Sequence, residues 1–218
     1  MNCSISHPTK NINGSIDLPS SKSISNRVLI IQALCKKDFT ISNLSTADDT
    51  QILQHFLKKK SSKINTEDAG TAIRFLTAFT SLKEKKFLID GSERMRNRPI
   101  KILVDALNQL GAKITYNGKE GFPPLTINGT IKNGGNIIIS GNVSSQYISA
   151  LLMIAPVLKK GLTIHLEGTI VSKPYINMTL SVMEYFGIKS HWNKNKICIK
   201  PQEYQAKDIT IEPDWSAA

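Results

Sequence analysis

Three stretches of the chain are almost wholly apolar: residues 24–34, 72–79 and 148–158. A helix that is apolar on most of its faces is buried, so we predict three helices that share one core. A short polar cluster precedes each stretch directly: Ser21–Ser23, Asp68–Thr71 and Val143–Gln146. The pattern therefore predicts an internal repeat whose buried helices all open on polar residues.

Each apolar helix is followed by a strand pattern and then by a second helix. The strands are predicted at residues 39–42, 87–90 and 162–165. Two of the second helices begin at Pro99 and Pro174 and end before Gly111 and Gly187, which is the usual distribution of proline and glycine at helix ends. We expect an α/β fold of three units, with the opening helices inside and the sheets outside.

The polar openings indicate an anion site. Free backbone N–H groups at a helix N-terminus bind anions, and Lys22, Arg27 and Arg74 add cations to the first two openings. Arg94 lies in a loop just before a helix, and guanidinium groups bind carboxylate or phosphate bidentately. The hydroxyls of three serines could add donors: Ser144, Ser145 and Ser172.

Charge and composition narrow the choice of ligand. The 218 residues carry a formal net charge of +11, which suits an acidic partner. Aromatic residues make up only 6% of the chain, and single-stranded nucleic acid is bound on aromatic platforms, so we expect no nucleic acid. Cysteines and histidines show no metal-binding spacing, which argues against a metal site and favours a reducing, cytoplasmic setting. The apolar stretches are too short to cross a bilayer.

The last ten residues resemble the beginning of a fourth unit. Residues 209–218 read as a strand and a polar helix opening, like residues 137–146. This pattern predicts that the chain is part of a longer protein.

Five segments resemble, in order, the motifs of the 3-phosphoshikimate 1-carboxyvinyltransferase (EPSP synthase) family: residues 19–27, 68–74, 94–100, 144–147 and 172–175. They span most of the chain, which corresponds to about the first half of such an enzyme. The resemblance implies an inverse α/β barrel-like domain of three βαβαββ units. It also implies that residues 1–18 form a strand of the other domain, that residues 19–213 form the N-terminal domain, and that residues 214–218 begin the crossover.

The implied reaction transfers the enolpyruvyl group of phosphoenolpyruvate to the 5-hydroxyl of shikimate 3-phosphate, without a metal or organic cofactor. Glyphosate inhibits this reaction in the family. By motif, shikimate 3-phosphate would contact Lys22, Ser23, Arg27, Ser144, Ser145, Gln146, Ser172 and Tyr175. Phosphoenolpyruvate would contact Lys22, Gly70, Thr71, Arg74, Arg94 and Gln146. Lys22 would also act in catalysis.

The implied chemistry also needs acid–base groups, because a proton must leave the 5-hydroxyl and reach the methylene carbon. The family places these carboxylates in its other half, so we expect the 218 residues alone to be inactive. The chain departs from the family pattern at Ser20, Asp68 and Phe75, where glycine, asparagine and proline are usual. A carboxylate at Asp68 would repel phosphate unless it caps the helix and points away.

Two alternatives remain open. The sister family that acts on UDP-N-acetylglucosamine has the same architecture, but it usually carries asparagine after the lysine, where this chain has Ser23, and often a loop cysteine. An RNA-binding or RNA-processing α/β repeat domain is the other alternative, disfavoured by the low aromatic content.

Overall fold

Helices lie inside and β-sheets lie outside in the computed structural model of the chain. It describes residue 6, residues 8–9, residue 11, residues 13–59 and residues 61–215. The helices are α1 (Lys22–Leu34), α2 (Asp48–Lys59), α3 (Gly70–Thr80), α4 (Glu93–Arg96), α5 (Lys101–Gln109), α6 (Ser145–Ile154) and α7 (Lys173–Tyr185). A 3₁₀ turn, Ala155–Val157, continues α6 around Pro156.

Ten strands form three sheets within the described residues. They are β1 (Ile41–Ser42), β2 (Lys63–Asn65), β3 (Phe87–Asp90), β4 (Ile114–Tyr116), β5 (Leu125–Ile127), β6 (Gly135–Ser140), β7 (Leu162–Glu167), β8 (Ser190–Asn193), β9 (Lys196–Ile199) and β10 (Ile209–Thr210). The sheet orders are β1-β10, β2-β3-β5-β4 and β6-β7-β9-β8.

The second and third units repeat one topology. In each, the first two strands are parallel and the fourth strand is antiparallel to both of its neighbours. The second unit consists of β2, α3, β3, α5, β4 and β5, and the third of β6, α6, β7, α7, β8 and β9. The first unit takes its first strand from the end of the chain, because β10 pairs in parallel with β1. It continues through α1, β1 and α2, and no later strand among the described residues belongs to it.

The three opening helices, α1, α3 and α6, form the centre of the core. Every residue of α3 is buried, as are nine of the ten residues of α6. Within α1 the buried run extends from Ser25 to Ile31. The prediction of buried opening helices with sheets outside them is therefore confirmed.

The element boundaries differ from the sequence predictions at a few points. The first strand is limited to β1, shorter than the predicted 39–42, whereas β3 matches residues 87–90 and β7 extends two residues further than predicted. The predicted helix over 148–158 begins earlier, at Ser145, and its last turn becomes 3₁₀ at Pro156. Residues 13–18 have no regular secondary structure.

Several sequence expectations fall partly outside the described residues. The strand expected within residues 1–18 includes Met1–Ile5, which contains Cys3, and the fourth opening includes Ser216–Ala218. Both segments lie outside the residues that the structure describes. Across residues 13–59 and 61–215 no group of histidine, cysteine and acidic side chains has a metal-binding arrangement. In the described part of the chain no helix combines the length and apolarity needed to cross a bilayer.

Candidate functional site

The N-termini of the central helices meet on one face of the molecule. The Gln146 side chain in the first turn of α6 donates to Thr71 Oγ1 in the first turn of α3, at 3.2 Å. The backbone N–H of Thr71 in turn donates to Asp49 Oδ1 in the first turn of α2, at 2.8 Å. These contacts fix the openings of α2, α3 and α6 beside one another, so their positive dipole ends point to one region.

Arg27 joins α1 to the openings of α6 and α7. Its Nε donates to Thr179 Oγ1 at 2.7 Å, and its Nη2 donates to Ser149 Oγ at 3.1 Å and to the Tyr175 carbonyl at 3.4 Å. Its Nη1 donates to the Ser23 carbonyl within α1, at 2.7 Å. Arg27 is 3% exposed, so its guanidinium is a buried link between three helices as well as a positive charge behind the α1 N-terminus.

Local sequence explains where two of these helices begin. Ser21 is the N-cap of α1 and its hydroxyl accepts from the Ile24 N–H at 3.4 Å. Ser144 caps α6 in the same way through the Gln146 N–H. Serine favours this position because its hydroxyl satisfies an orphan backbone donor. Two serine hydroxyls of the polar openings, those of Ser21 and Ser144, therefore already serve as caps in this structure.

Arg74 and Tyr147 form a second buried polar cluster beside the opening of α3. The Arg74 Nη1 donates to the Gly70 carbonyl at 2.5 Å, and its guanidinium lies 5.4 Å from the Tyr147 ring centroid. The Tyr147 hydroxyl donates to the Pro99 carbonyl at 2.6 Å, just before α5. The Arg74 Nε is buried and has no hydrogen-bond partner within the described part of the chain.

Neither of the two buried arginines is ion-paired to a carboxylate within the described residues. None of the ion pairs found among residues 13–59 and 61–215 includes Arg27 or Arg74. Burial lowers the pKa of Arg27 to about 10, against a raising effect of Tyr175. Burial also lowers the pKa of Arg74, assisted by the neighbouring charge of Arg98 and opposed by Tyr147 and by the carboxylate of Asp49. A buried cation without a counter-ion is unfavourable, and an anion bound on this face would relieve that cost.

Arg98 and Asp49 are site residues that the sequence reasoning missed. Arg98 lies so close to Gly70 that a Cβ on this glycine would stand 2.5 Å from its Nη1. Asp49, in the first turn of α2, supplies the acceptor for the backbone N–H of Thr71 at the α3 opening. The only signal in the sequence was weak: Arg98 follows Arg94 and Arg96 within a single predicted loop.

Asp68 does not cap α3. Its carboxylate accepts a hydrogen bond from the Ser92 hydroxyl, and Ser92 is the N-cap of α4. The residue at the α3 N-cap is Ala69, which offers no side-chain cap. The carboxylate is thus held toward α4, and this contact brings the opening of α3 and α4 together. Arg94 lies in this one-turn helix, whereas the sequence predicted a loop at its position.

The remaining predicted site residues differ in solvent exposure and in hydrogen bonding. Lys22, Arg94, Ser144 and Ser172 are exposed, and Tyr175 is 45% exposed. Ser23 and Gln146 are half-buried, and Thr71 and Ser145 are buried. Ser172 adopts a left-handed backbone conformation before α7 and makes no side-chain cap. The structure therefore joins Arg27 with Ser23 and Tyr175, and Gln146 with Thr71, by direct hydrogen bonds.

Comparison with known proteins agrees with this architecture. The family profile described as EPSP synthase (3-phosphoshikimate 1-carboxyvinyltransferase) matches residues 6–59 and 51–218. A solved EPSP synthase from Acinetobacter baumannii superposes with a TM-score of 0.81 at 18% identity, covering 93% of this chain and 50% of that one. At that identity the superposition shows the shared fold.

Curated relatives carry the same family name at higher identity. The 3-phosphoshikimate 1-carboxyvinyltransferase of Bacteroides fragilis YCH46 is 54% identical over 208 residues, 95% of this chain and 51% of the relative. That of Shewanella sp. MR-7 is 40% identical over 240 residues, 97% of this chain and 56% of the relative. The chain spans about half the length of the curated relatives it matches. Profile, fold and sequence identity together show that this chain belongs to the EPSP synthase family.

Proposed function

We propose that the 218 residues supply the N-terminal half of the substrate cleft of an enolpyruvyl transferase that acts on shikimate 3-phosphate and phosphoenolpyruvate. The observation that carries the proposal is the convergence of helix N-termini around Arg27 and Arg74, two buried cations that form none of the ion pairs among the described residues. Both substrates are multiply anionic, so such a face would offset their mutual repulsion. Holding two reactants in reactive geometry contributes about 7–11 kcal/mol to catalysis.

In the proposed division of roles, the openings of α1, α6 and α7 bind the sugar phosphate. Ser23 and Arg27 would hold its carboxylate, and Ser144, Ser145 and Ser172 its 3-phosphate, with Gln146 and Tyr175 against the ring. Arg27 already uses donors on all three guanidinium nitrogens, so a bound carboxylate would take a remaining donor or replace one of these partners.

The opening of α3 would bind phosphoenolpyruvate through Gly70, Thr71 and Arg74, with Arg94 on the adjoining helix α4. Lys22 would serve both substrates and the reaction. The 5-hydroxyl oxygen adds to C2 of phosphoenolpyruvate while the methylene carbon gains a proton. A proton then leaves this carbon, the C–O bond to phosphate breaks, and the enol ether and inorganic phosphate result. Fixed donors on this face stabilise the charge that develops.

The proton transfers require groups that this face does not offer. Of the nearby carboxylates, Asp49 accepts from Thr71 and Asp68 accepts from Ser92. We therefore propose that the acid–base groups belong to a C-terminal half, that the 218 residues alone do not catalyse transfer, and that the active protein is cytoplasmic and binds no nucleic acid. Enolpyruvyl transfer by the purified 218 residues would contradict this assignment.

Calorimetric titration of the chain tests the ligand class. We expect saturable binding of shikimate 3-phosphate, lost in Ser145→Ala and in Arg27→Ala, and unchanged in Lys196→Ala on the third sheet. UDP-N-acetylglucosamine and an RNA oligonucleotide are the competing ligands. Preferential binding of either one would refute the proposal.

A further inference from the structure

The first unit lacks half of the sheet that the other two units possess. The second and third sheets have four strands, whereas β1 pairs only with β10 among the described residues. In the complete units the fourth strand pairs with the second, so the corresponding partner of β1 is missing. Only residues 60–62 separate α2 from β2.

The match to the family profile is interrupted in the same region as the incomplete first sheet. The two ranges matched by the family profile meet and overlap at residues 51–59, at the end of α2. The alignment with the Shewanella relative extends over 240 residues, more than the 218 of this chain. The Shewanella relative therefore carries residues that this chain lacks, whereas the Bacteroides fragilis relative aligns over 208 residues without such an excess. The division of the profile match places the difference within or just after α2.

The complete units also cover the C-terminal end of their opening helix with the segment that follows the hairpin. After the second unit, the Ile131 N–H donates to the Ser81 carbonyl at the end of α3, at 2.8 Å. After the third unit, the Tyr204 hydroxyl donates to the Met153 carbonyl of α6, also at 2.8 Å. Ile131 is 3% and Tyr204 6% exposed. In both places an irregular segment seats one large side chain against the helix end.

The corresponding place at the end of α1 is open. A cleft of about 600 Å³ lies between the ends of α1, α2 and α3, and we call it the helix-end groove; it is lined by Ala33, Phe56, Leu57, Phe79 and Phe87, with Lys83, Glu84 and Lys85 at its rim. A second cleft along β1, lined in part by Leu29, Ile41 and Leu44, shares Ala33 and Leu57 with it. The two clefts adjoin and together run from β1 to the ends of α1, α2 and α3.

The rim of the helix-end groove is positively charged. The Lys83 ammonium lies 4.6 Å from the Phe79 ring centroid, and that of Lys85 lies 5.8 Å from the Phe87 centroid. Glu84 forms an ion pair with Lys132, so its charge is already balanced. An occupant with an apolar centre and acidic flanks is complementary to this arrangement.

We propose that the helix-end groove is a docking site for an extended segment of a partner protein, with one large apolar or aromatic side chain flanked by carboxylates. The side chain occupies the place that Ile131 and Tyr204 occupy in the other units. The adjoining backbone adds a strand to the open edge of β1, which is a common mode of peptide recognition. The face lies at the opposite ends of the helices from the anion-binding openings, so an occupant there leaves those openings free.

A synthetic peptide tests the proposal directly. The probe has the sequence of residues 200–208 with Lys200→Glu and Lys207→Glu, so that a tyrosine stands between acidic residues. Calorimetry with the chain is expected to show saturable binding in the micromolar range, and about tenfold weaker binding of the same peptide with Tyr204→Ser. The unaltered basic sequence is expected to bind weakly as well.

Two groove variants and one control variant of the chain test whether the peptide binds in the helix-end groove. Lys83→Glu with Lys85→Glu reverses the rim charges and is expected to weaken binding about tenfold, whereas Lys189→Glu with Lys196→Glu on the third sheet leaves it unchanged. Ala33→Phe fills the groove and abolishes binding, provided that circular dichroism and the urea midpoint show a folded chain. Absence of saturable binding, an equal loss in the third-sheet variant, or full binding by folded Ala33→Phe would overturn the proposal. Concentration-dependent self-association abolished by Ala33→Phe would assign the groove to a second copy instead and overturn it too.

Discussion

Replacing Arg27 by methionine separates the two roles that the structure gives to this residue. Methionine keeps most of the apolar stem and removes the guanidinium. Burial lowers the pKa of Arg27 from its ordinary value to about 10, and at ~1.4 kcal/mol for each pKa unit the buried charge costs about 3 kcal/mol. The hydrogen bonds of the guanidinium offset this cost in the wild-type chain.

The hydroxyls that contact Arg27 keep partners in the variant. Thr179 Oγ1 still donates to the Tyr175 carbonyl at 2.8 Å, and Ser149 Oγ remains 2.7 Å from Thr179 Oγ1. Because the lost bonds and the removed buried charge act in opposite directions, we expect Arg27→Met to change the free energy of unfolding by no more than about 1 kcal/mol. Affinity for shikimate 3-phosphate should fall about 10- to 100-fold, the effect of losing a charge-assisted hydrogen bond.

Urea denaturation measures the first quantity and calorimetric titration the second, with Lys196→Met as a control that removes one exposed positive charge. The folded-state pKa of Arg27 lies below its ordinary value, so the destabilisation by its charge is complete below pH 10 and lessens only above it. The stability difference between variant and wild type should thus be constant from about pH 6 to pH 9. Unaltered affinity for shikimate 3-phosphate would refute the assignment of Arg27 as a ligand-binding cation. A loss of stability above about 3 kcal/mol would refute the expectation that the buried charge offsets its own hydrogen bonds.

Three further changes test other parts of the site. Gly70→Ala places a Cβ 2.5 Å from Arg98 Nη1, so the flexible guanidinium must move; we expect weaker phosphoenolpyruvate binding by calorimetry with little change in the urea midpoint. Tyr147→Phe removes the 2.6 Å bond to the Pro99 carbonyl and should lower the free energy of unfolding by about 1 kcal/mol in urea, an expectation that a neutral result contradicts. The pKa of Asp90 is lowered by its hydrogen bond to Arg96, so its contribution is present at neutral pH and disappears as pH falls through that lowered pKa. In acid titration of stability, Asp90→Asn should differ from wild type by a few tenths of a kcal/mol at pH 7 and merge with it at low pH.

Periodicity was sufficient to predict the layer order of this protein. Helices that are apolar on all faces cannot face water, so the stretches that became α1, α3 and α6 had to be central. Strand ends were less predictable, because β1 is limited by the two residues of β10 that reach it, and that partner lies at the other end of the chain.

The candidate site also has features that local sequence predicted and contacts that only the fold produces. Residue types at helix openings predicted an anion-binding face, because N-terminal N–H groups, hydroxyls and cations are local features. Arg98 and Asp49 escaped prediction because their roles depend on contacts with Gly70 and Thr71, residues more than twenty positions away in the chain. The capping role considered for Asp68 failed for the same reason: Ser92 lies within reach only in the folded chain.

The sequence by itself determined the repeat, the buried helices and the presence of positively charged openings, since each depends on residues within one or two helical turns. Only the tertiary structure decided which openings meet, that Arg27 and Arg74 are buried without an ion pair among the described residues, and that the end of α1 is left uncovered. These properties arise from packing between segments far apart in the chain, where the balance of desolvation and hydrogen bonding is set by neighbours that local sequence does not specify.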